Sequence, residues 1–427
     1  MLGVVRSGLN RCEYDEYERD PNLDDAFIRV AEGDEFCPQS GHNLEDLFTE
    51  AERTNRPLII RRYGGLGTTP ETRTISGMLE FQISNANADP YCQILGKRSR
   101  TISIEKVLKE FETKNEERKR VLNILGFAFV HHPTLSQNIR PIKPQERFDL
   151  LRRVSCNRGD FNEQRLDPKV ATDCGFIVIS MGRSTKRALG SYTNFHLDMF
   201  STIVVMEDGL KLWTLFPNTE KNVEARLNWT EEKGLGVFEG LISTFLHPGD
   251  LLFLPNGWNH AVYTLLDSFI TGCHTVTAKT AASNLKLLML FLENPDLTND
   301  PLYRAFRHFK NLIDVMTFCI LAKFKLTEAV IKEAKSPTTK EKWLEFLRYC
   351  KVVIERFKEM EMDEMDEIEG PEDGSTEESE EEKEMKKVRT EWLGLAPKID
   401  KYIKAVTGTG LGRKRTTTKR GRRRRQT

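Results

Sequence analysis

Two short segments constrain what this chain can fold into: Ser191-Tyr192-Thr193-Asn194-Phe195-His196-Leu197-Asp198, and the stretch from His247 to Val262. In a β-strand, residues i and i+2 point to one face, so His196 and Asp198 project together while Leu197 points away. A third partner must come from a distant strand. His260 follows an apolar run ending in a Pro255-Asn256-Gly257 turn, after which the chain resumes as Ala261-Val262-Tyr263-Thr264. His-x-Asp alone is a weak signal among 8 histidines and 64 acidic residues. Joined to a strand, turn and strand that deliver His260, it predicts a metal-binding triad. Two histidines and one carboxylate cover one face of an octahedral Fe(II) and leave the opposite positions open for a co-substrate and dioxygen.

The surroundings of these residues strengthen the signal. Ser191–Asp198 resembles the first-ligand strand of the JmjC family of Fe(II)- and 2-oxoglutarate-dependent oxygenases, closest to the histone lysine demethylases that carry F-box or PHD modules. Those enzymes usually have Asp at the position of Asn194. Asn256–Thr264, continued by Leu265-Leu266-Asp267-Ser268, is similar to their second-histidine strand almost residue for residue. Upstream, Val121-Leu122-Asn123-Ile124 and the stretch from Arg140-Pro141 to Arg147-Phe148-Asp149-Leu150 resemble the same group's approach to the barrel. The resemblance covers roughly residues 115–280. It implies a mainly β fold with α elements, a double-stranded β-helix (a jelly-roll, cupin-like JmjC barrel) with flanking helices. It also implies that His196, Asp198 and His260 are the metal ligands.

A co-substrate with a distal carboxylate needs a buried cation, and lysine suits this as a compact charge on a flexible stem. Lys211 opens the alternating run Lys211–Pro217 after Asp208-Gly209, which reads as a hairpin turn. The resemblance places the family's 2-oxoglutarate lysine at Lys211, with Thr193 as its hydroxyl partner and Asn123 as a further co-substrate residue.

The chain also departs from the demethylase pattern. Where those enzymes have a glycine-rich segment and then an aromatic pair, this chain has Met199-Phe200-Ser201-Thr202-Ile203-Val204. Met199 and Phe200 are expected to narrow the space that glycines leave open. The stretch to Lys211 is two residues shorter, closer to the asparaginyl-hydroxylase branch, and Gly272-Cys273-His274 replaces Gly-Gly-Asn. His274 reads either as a packed polar residue or as a donor that orients the co-substrate. His247, in His-Pro-Gly-Asp, reads as a turn residue and His131-His132 as a loop pair.

Elsewhere the patterns describe architecture. Phe48–Ile60 combines a helical pattern with a strand signal ahead of Gly64-Gly65. Ile102–Phe111 reads as a helix and Phe176–Ser180 as a strand. Trp343, Phe346, Leu347, Cys350, Val353, Ile354 and Phe357 recur at helical spacing. The expected division is an N-terminal α/β flank (1–114), the barrel (115–280), a helical module (281–358), a disordered acidic linker (359–387), then a short helix and a disordered basic tail (388–427). The 64 basic and 64 acidic residues balance overall, but the acidic run from Glu359 and the basic cluster from Arg413 to Arg425 are segregated. That cluster reads as a nuclear-import address, which predicts nuclear localisation, or as a non-specific contact to nucleic-acid phosphates, the alternative being a solvated terminus that folds back onto the acidic linker. The 8 cysteines form no C-x-x-C pair, which argues against a zinc finger or disulfide framework, and no apolar run is long enough to span a membrane.

The resemblance therefore implies a dioxygenase that uses Fe(II), 2-oxoglutarate and dioxygen. Its expected substrate is N-methyl-lysine on a histone tail or another protein, with release of succinate, CO2 and formaldehyde. A protein hydroxylase of the same fold and a catalytically silent chromatin scaffold are the alternatives.

Overall fold

Two long strands, β8 (Ser201–Pro217) and β11 (Trp258–Thr275), pair antiparallel along almost their whole length. The computed structural model describes residues 29–32, 44–61, 74–85, 90–95, 97–125, 175–183, 190–230, 233–277, 279–298, 302–303, 305–307, 309–310, 312–313, 337–367 and 380–407. Both long strands are rich in β-branched and aromatic residues and are buried on both faces, the pattern of strands enclosed between layers.

Each half of these strands takes a different neighbour. The first half of β8 pairs with β10 (Leu251–Leu254) and its second half with β9 (Ile242–Leu246). The first half of β11 pairs with β7 (Tyr192–Leu197) and its second half with β6 (Gly175–Ser180). The strands β2 (Leu58–Arg61), with β1 (Arg29–Glu32) parallel to it, and β5 (Leu122–Leu125), then β3 (Tyr91–Ile94) and β4 (Lys97–Thr101), extend the sheet outward. The result is a cupin-like β-barrel, as the sequence predicts.

The two halves meet at Gly209. Here the chain does not reverse, as Asp208-Gly209 suggests, but runs on through a stretch of irregular pairing opposite Leu266–Phe269. Gly209 has φ +87°, and an added Cβ would lie 2.0 Å from the Asp267 carbonyl oxygen. Apolar residues on both sides of Gly209 pair with the same partner strand, so the positive φ is absorbed as a bulge rather than a turn. Arg118 fixes the other side, its Nη1 and Nη2 donating to Asp267 Oδ1 and Oδ2 at 2.7 and 2.6 Å, while Gly182 N donates to Oδ1 at 2.9 Å.

Helix α1 (Leu44–Thr54) packs Phe48 against Phe253 of β10. The helices α2 (Ile75–Asn85) and α3 (Ile104–Glu112) cover the β3–β5 edge, with Ile104, Val107 and Phe111 of α3 buried. Between β8 and β9 lies α4 (Glu220–Leu227), capped by Thr219, whose hydroxyl accepts from Asn222 N. The turn containing His247 is tight, with Gly249 at φ +91° and His247 N bonded to Asp250 Oδ2.

Beyond the barrel, α5 (Ala281–Glu293), α6 (Pro337–Glu367), α7 (Glu380–Leu393) and α8 (Ala396–Thr407) share one apolar core. The helically spaced residues Trp343 to Phe357 all lie in it. The expected end of the module at residue 358 is not where its helix ends. Helix α6 continues to Glu367 and α7 begins at Glu380, so the acidic run is helical at both ends. Glu, Met and Lys are strong helix formers, and pairs such as Arg356–Glu359 support the exposed face. Val388, Trp392, Ile399 and Tyr402 extend the core, so the segment expected as one short helix is two packed ones. Met199 and Phe200 are buried in this core, with Phe200 and Phe309 ring centroids 5.7 Å apart, so they face the helices rather than narrowing the co-substrate space.

Residues 64–65, 131–132, 140–150, 368–379 and 413–427 lie outside the described residues. No helix among the described residues is long and apolar enough to cross a membrane, and among them Cys92, Cys273 and Cys350 are not in disulfide bonds.

Gly209→Ala should destabilise the barrel by about 2 kcal/mol or more, since it adds both a disfavoured φ and a backbone clash. A shift in the denaturant midpoint measures this, and an unchanged midpoint would show that the bulge tolerates a side chain.

Candidate metal centre

The β7–β11 pairing sets His196 directly opposite His260. Their ring centroids are 4.1 Å apart. Asp198, just past the end of β7, lies on the same face as His196, with Oδ1 3.8 Å from His196 Nε2 and Oδ2 3.8 Å from His260 Nε2. One ligand atom from each of the three can be chosen so that all lie within 4.8 Å of one another. Neighbouring donors around a small octahedral ion sit about 3 Å apart, a contraction that modest side-chain rotation supplies.

The remaining ring nitrogens explain why both Nε2 atoms are available. His196 Nδ1 is 2.8 Å from the Asn194 carbonyl oxygen, and His260 Nδ1 is 3.3 Å from that of Trp258. A carbonyl only accepts, so each Nδ1 carries a proton, and Nε2 is the nitrogen left on each ring for a metal to take up. The donor set fits a divalent transition metal.

Asp198 is held from behind. Thr202 donates its hydroxyl to Asp198 Oδ2 at 2.7 Å, and His274 Nδ1 lies 3.1 Å from the same hydroxyl. Burial raises the Asp198 pKa, but His260, His274, His196 and the Thr202 hydrogen bond outweigh it and hold the carboxyl below its ordinary value. His274 is thus not simply packed, for it sits behind the carboxylate through Thr202, with Phe176 and Phe200 against its ring.

A second cluster lies deeper along the same strands. Lys211 is 3% exposed, and its Nζ donates to Ser180 Oγ at 2.7 Å. Ser180 Oγ donates to Asn123 Oδ1 at 2.7 Å, and Asn123 Nδ2 reaches Gln93 Oε1 at 3.0 Å and Thr193 Oγ1 at 3.4 Å. The fold therefore brings together Lys211, Thr193 and Asn123, which are far apart in sequence. A bulge between His260 and Val262 in the β7–β11 register brings Thr193 opposite Val262. Burial pushes the Lys211 pKa down to about 7, and among the described residues no nearby carboxylate offsets it.

Sequence reading missed Thr202, Ser180 and Gln93. Ser180 ends an apolar strand run and Thr202 starts one, so both read as strand boundaries. Only the pairing of β6 with β5 puts Ser180 beside Asn123.

Thr202→Val should weaken divalent-metal binding by about ten- to a hundredfold, the usual cost of removing a group that orients a ligand, while Thr202→Ser should retain it. Co(II) titration followed by visible absorption tests this, and equal affinities in all three proteins would leave Thr202 no orienting role.

Comparison with known proteins matches residues 161–284 to the JmjC domain family, a segment containing the whole triad and Lys211. The chain is 32% identical to JmjC domain-containing histone demethylation protein 1 of Saccharomyces cerevisiae over 219 residues, 49% of this chain and 41% of the relative. It is 30% identical to the protein of the same name from Kluyveromyces lactis over 184 residues, 41% of this chain and 36% of the relative. With Lysine-specific demethylase 2A of Xenopus tropicalis it shares 22% identity over 351 residues, 77% of this chain and 28% of the relative. The chain spans less than half the length of each of these relatives. Residues 161–284 thus match the JmjC domain, and over the aligned part the chain is similar to proteins named for histone demethylation.

Proposed function

We propose that this protein is an Fe(II)- and 2-oxoglutarate-dependent dioxygenase that demethylates N-methyl-lysine on histone tails. The observation that carries the reading is the pairing of a metal-type triad with a buried lysine that lacks a counter-charge among the described residues. His196, Asp198 and His260 would hold the metal, and Lys211 with Thr193 and Asn123 would receive the distal carboxylate of the co-substrate. When bound, Fe(II) and 2-oxoglutarate use dioxygen to hydroxylate the substrate, giving succinate and CO2, and an N-methyl product then loses formaldehyde.

The protein's own part is orientation and charge. The Asn194 and Trp258 carbonyls fix the histidine tautomers, and Thr202 leaves Asp198 Oδ1 free for the metal. Lys211 has been moved out of water without a neutralising partner, which is costly for a structural residue and useful for one that meets an anion. A catalytically silent scaffold would have no use for that arrangement. The relatives' names point to histone substrates and hence to the nucleus, and the Arg-rich segment 413–427 supports import and non-specific nucleic-acid contact. A tagged chain lacking 413–427 should lose nuclear accumulation, and one that stays nuclear removes the role of that segment.

A second reading, protein hydroxylation, is favoured by the short stretch from Asp198 to Lys211 and by the missing glycines after Asp198. Formaldehyde release from methylated histone peptides separates the two. A retained +16 mass shift on an unmethylated peptide, without formaldehyde, selects the hydroxylase. Anaerobic addition of Fe(II) and 2-oxoglutarate should produce a weak visible charge-transfer band that His196→Ala and Lys211→Ala abolish. The folded protein giving no band under iron would refute the dioxygenase reading.

The site also dictates a pH dependence. In the empty protein Lys211 loses its proton near pH 7, whereas in the unfolded chain it keeps it to about 10.5. Between these values the unfolded state binds the extra proton, so this group's destabilising effect fades as pH rises. A bound carboxylate favours the charged lysine, so 2-oxoglutarate should take up a proton on binding. Its affinity should fall about tenfold per pH unit above 7. Calorimetry in buffers of different ionisation enthalpy measures both, and an affinity flat from pH 6 to 9 would show that Lys211 does not receive the anion.

A further inference from the structure

The registers of four neighbouring strands line up one polar row. Gln93 of β3 stands opposite Asn123 of β5, Asn123 opposite Ser180 of β6, and Ser180 opposite Ser268 of β11. Directly opposite residues share a face, so all four side chains project to the side of the sheet from which Lys211 reaches Ser180. The adjoining row of Cys92, Ile124, Ile179 and Phe269 faces the other way and is wholly apolar and buried. Polar groups are costly at this depth unless each is paired.

The bonds along the row run one way. Facing an anion, Lys211 is charged and only donates, so Ser180 Oγ must accept from it, at 2.7 Å. Ser180 then has one proton to give, and Asn123 Oδ1 takes it at 2.7 Å. Asn123 Nδ2 is left on the other side, where it donates to Gln93 Oε1 at 3.0 Å and, at a longer 3.4 Å, to Thr193 Oγ1. Thr193 therefore accepts within the row and keeps its own proton for a further acceptor. Turned over, the Asn123 carboxamide would aim Oδ1 at Thr193 and take that proton. It would also press its N–H groups on a Ser180 already receiving from Lys211. Gln93 supplies the nearer of the two acceptors that prevent this. It is half-buried and lies on a strand that precedes the matched JmjC segment.

We propose that Gln93 is a positioning residue for the distal carboxylate of the co-substrate. By accepting from Asn123 it holds the carboxamide in the one orientation that leaves both Lys211 and Thr193 with protons to donate. This role rests on the dioxygenase reading above. Gln93 acts on the ligand from two hydrogen bonds away, through Asn123 and then Thr193.

The test uses the full chain loaded with Zn(II), a diamagnetic stand-in, and titrates 2-oxoglutarate by calorimetry into wild type, Gln93→Met, Gln93→Glu, Thr193→Val and the Q93M/T193V double variant. Methionine keeps the length of the side chain and removes the acceptor, whereas glutamate keeps an acceptor that cannot turn over. Q93M should bind about five- to tenfold more weakly, the loss expected for one neutral hydrogen bond, and Q93E within about threefold of wild type. On the T193V background Q93M should cost less than about twofold, because the proton it misdirects is already gone. A general loosening of the barrel would instead cost the same on both backgrounds. Q93M that binds like wild type, Q93E as weak as Q93M, or a full loss on the T193V background overturns the role of Gln93 and leaves the dioxygenase reading intact. Should Q93M fail to fold, neutron diffraction from deuterated wild type locates the Asn123 Nδ2 deuterons, and deuterons directed at Ser180 overturn the role equally. Zn(II)-loaded wild type that does not bind 2-oxoglutarate at all overturns that reading, and the role of Gln93 with it.

Discussion

The antiparallel pairing of β8 with β11, bent once at Gly209, is the constraint on which the rest of the structure depends. Each long strand contributes one half to each end of the barrel, so a single ladder holds His260 of the candidate triad and the lysine Lys211 in register. The bend has two supports of different kinds. A glycine admits a backbone approach that any Cβ would block, and a two-pronged Arg118–Asp267 contact, itself largely buried, fixes the opposing strand. Such a paired guanidinium and carboxylate gives direction as well as attraction, which suits a place where the ladder itself is irregular.

Charge in the barrel is divided between two stations. At one end, Asp198 stays ionised because histidines and a hydroxyl face it, so the station attracts a cation. At the other, Lys211 has only hydroxyl and amide dipoles around it and is left short of negative charge. Each station is incomplete in the sense that the other is not, one open to a cation and the other to an anion. This complementarity is electrostatic preorganisation: the groups are fixed before the ligand arrives and need little rearrangement when it does.

Much of the site was legible because strand periodicity is short and strict. His196 and Asp198 are two residues apart, and the Pro255-Asn256-Gly257 turn announces the strand that carries His260. Lys211, Thr193 and Asn123 were readable only through resemblance, since they lie on β8, β7 and β5, whose neighbours depend on the whole topology. Asp208-Gly209 misled because a positive-φ glycine serves a turn and a bulge equally well, and the choice depends on a partner strand more than fifty residues away. The acidic run from Glu359 misled for a different reason. Charge density argues against burial but not against a helix, and the Glu, Met and Lys of this run are strong helix formers. Met199 and Phe200 were assigned to the wrong side because nothing in their own segment reveals that helices lie behind it.

Those two residues tie the metal centre to the far end of the chain. Leu197, Met199 and Phe200 bracket Asp198 and are embedded in the core formed by α5 to α8, while the matched JmjC segment ends within α5, at residue 284. Asp198, the carboxylate of the candidate triad, thus stands on a foundation supplied from outside the barrel. Changes in helical-core residues such as Phe309, which packs on Phe200, can therefore shift this carboxylate without touching the barrel, so that core is as much part of the site's inheritance as the triad itself.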